Sequence, residues 1–453
     1  MNPITSDIFG RLDWLTKRIK HIYGRLTALE TCCGGGGANP NNPCYLEITS
    51  IGSFPYTTLA DYNANTDWAT PFTALVTIGG IQRLYGGSDV YIASIFAGNN
   101  DITSINDGCG AVTGMDNLAF NSSAALTYVN FPSLTYIASD AFRQCGNLSL
   151  VLFPKATSVG DAAFGSSNLL TDVSLPLVTT LGADVFNGLS ELKTVSLPKL
   201  TSVPASTFSN CTSLTTVDLS SATLIDAAAF SDCTLLTSVI APKTTSIGSY
   251  AFSVCGSLTT LSFPLLETID HHAFSTCTGI VSFTAPKLIS IGANAFESCT
   301  SLTTISFPKV TTIGNGSFTS CVGLTTLSFP VLTTIQAEAF LSCNGITTFT
   351  APLLQSIGDD GFDGCTSLIT VNFPLVTSIA SAAFYGCTSL TTINLSSVLT
   401  LGPTTGNDLV FENITGNTIT LTVPVAMETI NAGDPDGDIV YLDANNTVTI
   451  NYV

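Results

Sequence analysis

The sequence predicts a repeat solenoid, and three observations carry that prediction. Phenylalanine returns every 22 residues, aliphatic residues and a proline follow it at fixed offsets, and no insertion or deletion breaks the register. Phe120, Phe142, Phe164, Phe186, Phe208, Phe230, Phe252, Phe274, Phe296, Phe318, Phe340, Phe362 and Phe384 mark thirteen units. One unit of this length cannot bury its own apolar face, so neighbours have to stack and share one core.

Each element of the unit follows from its residues. Six residues after the phenylalanine stands an aliphatic residue such as Leu214, Leu236 or Leu258, and three further on another, such as Val217, Val239 or Leu261. The segment LTTLSFP, Leu258 to Pro264, therefore has the spacing of a short strand with one face inward. Proline removes a ladder donor and ends the strand. A second apolar stretch closes on Ile247, Ile269, Ile291, Ile313, Ile335, Ile357 or Ile379, often with glycine next. Stacked units are expected to pair their strands in parallel at about 4.8 Å per rung. The Ala- and Ser-rich segment around the phenylalanine, such as GSYAFSVC, is expected to form a short helical or 3-10 turn.

The unit I-G-x-x-A-F-x-x-C-x-x-L-x-x-[IL]-x-F-P resembles the BspA-type leucine-rich repeat, and the match runs over residues 119–402. The resemblance implies a leucine-rich repeat solenoid and a role in extracellular recognition, with no shared catalytic residue. The cysteines here precede the strand, whereas the better-known leucine-rich pattern places Asn or Cys after it.

Cys145, Cys211, Cys233, Cys255, Cys277, Cys299, Cys321, Cys343, Cys365 and Cys387 all lie three residues after a repeat phenylalanine. They are expected to stack as an inward column of small buried groups. Ser123, Ser167 and Leu189 fill the same slot, which a required metal ligand or disulfide partner would not tolerate. Metal binding also needs converging ligands, typically from paired C-x-x-C spacings, and none is present. Cys32 and Cys33 lie outside the column, where crosslinking between chains is the alternative.

The N-terminus follows a different period. Ile8, Leu12, Leu15, Ile19, Ile22, Leu26 and Leu29 alternate spacings of four and three, the seam of a coiled coil. With Leu12 at an a position, Ile8 and Ile22 fall at d, which favours three or four strands over a parallel dimer. Residues 1–30 are read as an oligomerisation helix giving a homotrimer, and residues 31–43 as a Gly-rich linker. An amphipathic helix folded back on the solenoid is the alternative.

Residues 44–118 lack the 22-residue clock and are read as an N-terminal cap, the repeats as 119–402, and residues 403–453 as a C-terminal β cap. In that last segment TITLTVPV, DIVYL and TVTINYV alternate like antiparallel strands, with DPDGD as a turn. Its aspartates resemble a calcium loop only loosely, lacking the distal Glu.

A formal charge of −19, with charged residues at only 10%, argues against nucleic acid, whose phosphates need clustered Lys and Arg. No apolar run reaches the length of a membrane span, and Met1 to Leu29 lacks the apolar core of a secretory signal. Three histidines, His21, His271 and His272, and no isolated carboxylate pair give no reason to read an enzyme, a cofactor or a metal site.

The surface repeats hydroxyls instead. Thr215, Thr237, Thr259, Thr303, Thr325 and Thr347 share one strand position, and Thr216, Thr260, Thr304, Thr326 and Thr348 the next. These are the candidate binding face, against the plain alternative that Thr favours strands. Lys155, Lys199, Lys243, Lys287 and Lys309 form a sparse row after the proline. The leading functional expectation is a bacteriophage fibre or spike. Its N-terminal helix would join other virion proteins, and its solenoid would touch a host-surface glycan or protein. A bacterial cell-surface adhesin, extracellular, is the alternative. An ice- or mineral-binding protein is the third class.

Overall fold

The computed structural model describes residues 45–52, 74–78, 81–85, 90–92, 94–108, 110–402, 409–425 and 446–453, with positions 54, 56, 60 and 442. The heptad segment 1–30, the linker 31–43 and the DPDGD turn lie outside the described residues. The chain divides into two compact units, Met1–Thr179 with Val195–Leu197, and Thr180–Thr194 with Pro198–Val453.

In the first unit, strands β1 (Tyr45–Ser50), β2 (Ala74–Ile78) and β3 (Ile81–Tyr85) pair antiparallel, with β1 also antiparallel to the strand Ile102–Asp107. β1 alternates cleanly, with Leu46 and Ile48 buried and Tyr45 and Glu47 turned outward. The direction then changes. The strand Tyr128–Asn130 adds to Ile102–Asp107 in parallel, and Leu150–Leu152 adds to that in turn. The antiparallel strands thus occupy the edge that the first repeat strand would otherwise leave open.

The second unit carries the parallel stacking that the 22-residue clock predicts. Thr216 pairs with Ser238 and Ser238 with Thr260, and Thr326, Thr348, Thr370 and Thr392 continue the same column further along. A second ladder of two-residue strands runs from Ser202–Val203 to Thr400–Leu401 over ten rungs. Each turn fills the core with the same set of side chains. Around Phe318, residues Cys321, Leu324, Leu327, Phe329, Leu332, Ile335 and Ala339 are all buried. The repeat phenylalanines stack face to face, as in Phe252 on Phe274 at 5.2 Å and Phe296 on Phe318 at 5.3 Å.

The segment around each phenylalanine is not the helical or 3-10 turn expected. Residues two before and two after it take positive φ, as at Tyr250 (58°) and Val254 (61°) around Phe252, and His272 (53°) and Thr276 (61°) around Phe274. This flips alternate peptide planes along the stacking direction. The amides of Tyr250, Phe252 and Val254 donate to carbonyls of the next turn, while those of Ala251, Ser253 and Cys255 donate to carbonyls three residues back. A 3-10 helix would spend every amide locally and leave neighbouring turns unbonded.

The last strands also depart from expectation. Thr418–Val423 pairs in parallel with Thr392–Asn394, and Thr447–Tyr452 in parallel with Thr418–Val423. The antiparallel reading of these segments is therefore corrected. The physical reason is register: the final repeat offers a parallel edge, and Ile419, Leu421 and Val423 bury their alternating side chains only in line with it. Phe411 continues the aromatic stack, 5.6 Å from Phe384.

Candidate functional site

The cysteine column sits inside. All ten thiols are free and buried. All ten donate to the carbonyl oxygen of the phenylalanine one turn earlier: Cys145 to Phe120 at 3.0 Å, Cys211 to Phe186 at 3.1 Å, Cys277 to Phe252 at 2.9 Å and Cys343 to Phe318 at 2.9 Å are typical. Serine in the same slot makes the same bond, with Ser123 donating to Phe96 and Ser167 to Phe142, both at 2.6 Å. The slot therefore takes a small donor in every unit but that of Phe186, where a buried Leu189 fills it. That donor role was missed from sequence, although the interchange of Cys with Ser was its visible signal.

Burial pushes the thiols of Cys145, Cys211 and Cys343 up to about 12. It holds those of Cys233, Cys255 and Cys365 well above the ordinary value too. A thiol so far from ionising is a poor nucleophile at neutral pH. Among the described residues, no group of three His, Cys, Asp or Glu side chains is arranged to hold a metal ion.

The two threonine columns named from sequence do different work. In the first, the hydroxyls turn back on the fold. Thr237 donates to the Thr215 carbonyl at 3.0 Å, Thr259 to Thr237 at 3.4 Å, Thr303 to Val281 at 3.1 Å and Thr347 to Thr325 at 3.2 Å. These side chains brace one turn against the next. In the second column, Thr304, Thr326 and Thr348 lie outward and exposed, Thr216 is half-buried, and Thr260 holds the same register position.

Two residues further along the same strands stand Ser262, Ser306, Ser328 and Thr350, also exposed. Between Ser262 and Thr350 the outward face of this ladder is thus two hydroxyl columns wide, with Asp218, Ile240, Asn372 and Asn394 in the Ser262 column beyond that stretch. Thr420 and Thr449 join its register beyond the last repeat, through the pairs Thr392 with Thr420 and Thr420 with Thr449.

The second ladder repeats this division of labour. Thr223 donates to the Thr201 carbonyl at 3.3 Å, Thr245 to Thr223 at 3.2 Å and Thr333 to Thr311 at 3.0 Å. Ser246 follows Thr245 and Thr334 follows Thr333, both half-buried, whereas Leu224 follows Thr223, and Thr268 donates to the Ser246 hydroxyl at 2.8 Å. This second hydroxyl face was not singled out in the sequence, although the recurring Thr-[Ser/Thr]-Ile before the glycine marks it. Lys155, Lys199, Lys243, Lys287 and Lys309 are all exposed.

Three comparisons bear on this architecture. Among curated proteins, none matches the chain. Among solved structures, a leucine-rich repeat protein from Bacteroides ovatus is 24% identical, covers 84% of this chain and 90% of its own, and superposes with a TM-score of 0.60. A leucine rich cell surface protein from Faecalibacterium prausnitzii is 23% identical, over 68% of this chain and 86% of its own, with a TM-score of 0.38. A leucine-rich repeat protein from Eubacterium ventriosum is 19% identical, over 63% and 80%, also with a TM-score of 0.38. The Bacteroides structure shares the fold. The family described as the BspA type leucine rich repeat region matches residues 113–237, 157–281, 245–354 and 333–433. With the phenylalanine stack, the cysteine column and the parallel ladders all in phase with that match, the chain belongs to the BspA-type leucine-rich repeat family.

Proposed function

We propose that this chain is a non-enzymatic, surface-displayed recognition protein of the adhesin kind, whose target is a glycan bound along its outward hydroxyl columns. One observation carries the reading: of two adjacent threonine columns, one is committed to bracing the backbone while Thr304, Thr326 and Thr348 stand exposed beside Ser306, Ser328 and Thr350. Bracing alone accounts for the first column and leaves the second without an internal task. A regular array of hydroxyls with little charge offers donors and acceptors at a spacing of about 4.8 Å, suited to the hydroxyls of an extended saccharide. Family membership supports surface display, since this repeat class recurs on surface and adhesive proteins.

The test is binding of the purified chain to immobilised glycans and to intact cells, with the triple variant T304V/T326V/T348V beside it. Loss of binding in a variant that melts like the parent supports the reading; unchanged binding overturns it.

A stalked virion fibre is the second reading, and the heptad seam from Ile8 to Leu29 is the observation that favours it. Its test is solution mass together with antibody labelling of phage particles against cells. A trimer on labelled particles supports it, and a monomer on labelled cells removes it.

A further inference from the structure

The repeats are monotonous in most columns, and one place breaks the monotony. At the position two before the repeat phenylalanine, successive turns carry Ala228, Tyr250, His272, Asn294 and Gly316. Tyr250 stacks on His272 with ring centroids 4.7 Å apart and planes within 9°. His272 is itself held on both sides. Its Nε2 lies 3.3 Å from Asn294 Nδ2, and its Nδ1 lies 3.6 Å from Glu297 Oε2.

The neighbouring His271 is fixed as well, since its Nδ1 accepts the Ala293 amide at 3.1 Å. Asp270 accepts from the Ser249 hydroxyl and the His271 amide, both at 2.8 Å. An aromatic ring is thereby backed by a chain of mutually ordered polar side chains. Ordering a contact residue beforehand lowers the entropy cost of binding to it.

The stack ends abruptly. One turn before Tyr250 the column holds only the methyl of Ala228, and Tyr250 is 48% exposed. A side chain at residue 228 would have covered the second ring face, as His272 covers the first. Beside this step the neighbouring column reads Asp226, Gly248, Asp270, so carboxylates flank it, while Gly248 lies close against the backbone of the Asp226 turn. The turn segments 226–232, 248–254, 270–276 and 292–298 hold four carboxylates and no Lys or Arg. That charge balance disfavours sialylated and uronate sugars and suits a ligand that donates hydroxyl hydrogens.

We propose that Tyr250, backed by His272, is the stacking platform of a glycan subsite that takes an uncharged pyranose ring in the step left by Ala228. The sugar lays its C–H face on the exposed ring and donates hydroxyls to the Asp226 carboxylate. This rests on the glycan-recognition reading above and places one specific contact within it, on the turn segment rather than on the hydroxyl columns.

The experiment uses the full chain on an array of neutral, sialylated and uronate oligosaccharides, with variants Y250A and A228Y. Tyrosine at residue 228 fits the backbone, because the column already holds Tyr250 at φ 58° where Ala228 has 52°. It fills the step without removing the platform. The expected result is binding of neutral glycans by the parent and a loss of at least tenfold in both variants, with melting curves like the parent's. Neutral-glycan binding that stays within twofold in A228Y overturns this subsite while leaving the hydroxyl-column reading intact. Binding confined to anionic glycans overturns the ligand class. A parent that binds no glycan overturns the recognition reading itself, and the subsite with it.

Discussion

The Sγ of Cys255 lies 3.1 Å from the carbonyl oxygen of Phe230, one turn earlier, and donates its proton to it. The same carbonyl also accepts the amide of Cys233 at 3.2 Å. Buried carbonyls have two lone pairs, and in this column a thiol or a serine hydroxyl fills the second. The ten column cysteines are therefore part of the hydrogen bonding between turns.

This arrangement makes the fold sensitive to alkali. Below about pH 9 the thiols are protonated in the folded and unfolded chains alike. Above it the unfolded chain releases protons, whereas burial holds Cys145, Cys211 and Cys343 protonated up to about 12. Stability therefore falls as pH rises through this window, by up to about 1.4 kcal/mol per pH unit for each such thiol. The variant C211S keeps the bond to Phe186 and removes one titrating group. Urea midpoints measured from pH 8 to 11 should fall less steeply for C211S than for the parent, and parallel slopes would reject the account.

Positive φ at residues other than glycine costs about 1 kcal/mol, more for a β-branched side chain, whose Cβ substituents crowd the backbone. Val254 holds φ 61° and is 38% exposed, so its side chain contributes little burial in return. V254N, which tolerates this region, should stabilise by about 0.5–1 kcal/mol, read as a rise in the thermal midpoint. A fall would show that Val254 packs more usefully than its exposure implies.

Gly292 is required for a different reason. A Cβ placed there would lie 2.6 Å from the Asp270 carbonyl carbon and 2.7 Å from the His271 amide nitrogen, both backbone atoms of the adjacent turn. Backbone cannot give way as a side chain end does. G292A should cost about 1–3 kcal/mol, the range of overpacking in a filled core, and calorimetry of the purified variant checks it.

Legibility in the sequence divided along physical lines. The solenoid was plain because Phe252, Leu258 and Ile269 are buried at positions the 22-residue clock repeats without a gap. The alternating positive φ was hidden, since Leu118, Tyr250, Val254 and Thr276 all adopt it and none is a residue that advertises it. The parallel pairing of Thr418–Val423 with Thr447–Tyr452 was hidden because alternation reports one buried face and not strand direction. The two roles of neighbouring threonines were hidden for a related reason. Thr347 and Thr348 are chemically identical, and only the peptide orientation decides which hydroxyl reaches a carbonyl.

That pair gives the sharpest test of where structure ends and recognition begins. Thr347 donates to the Thr325 carbonyl at 3.2 Å, whereas Thr348 lies exposed in the outward column. Valine preserves shape and strand preference in both places and removes only the hydroxyl. T347V should lower stability by about 0.5–1.5 kcal/mol, the net worth of one such hydrogen bond, and leave glycan binding unchanged. T348V should leave the urea midpoint where it was and weaken binding. If both variants lose stability and neither loses binding, both columns are braces, and recognition has to be sought away from this ladder. If T348V alone weakens binding, the outward column is the contact surface, because its neighbour controls for every effect of the substitution except the direction in which the hydroxyl points.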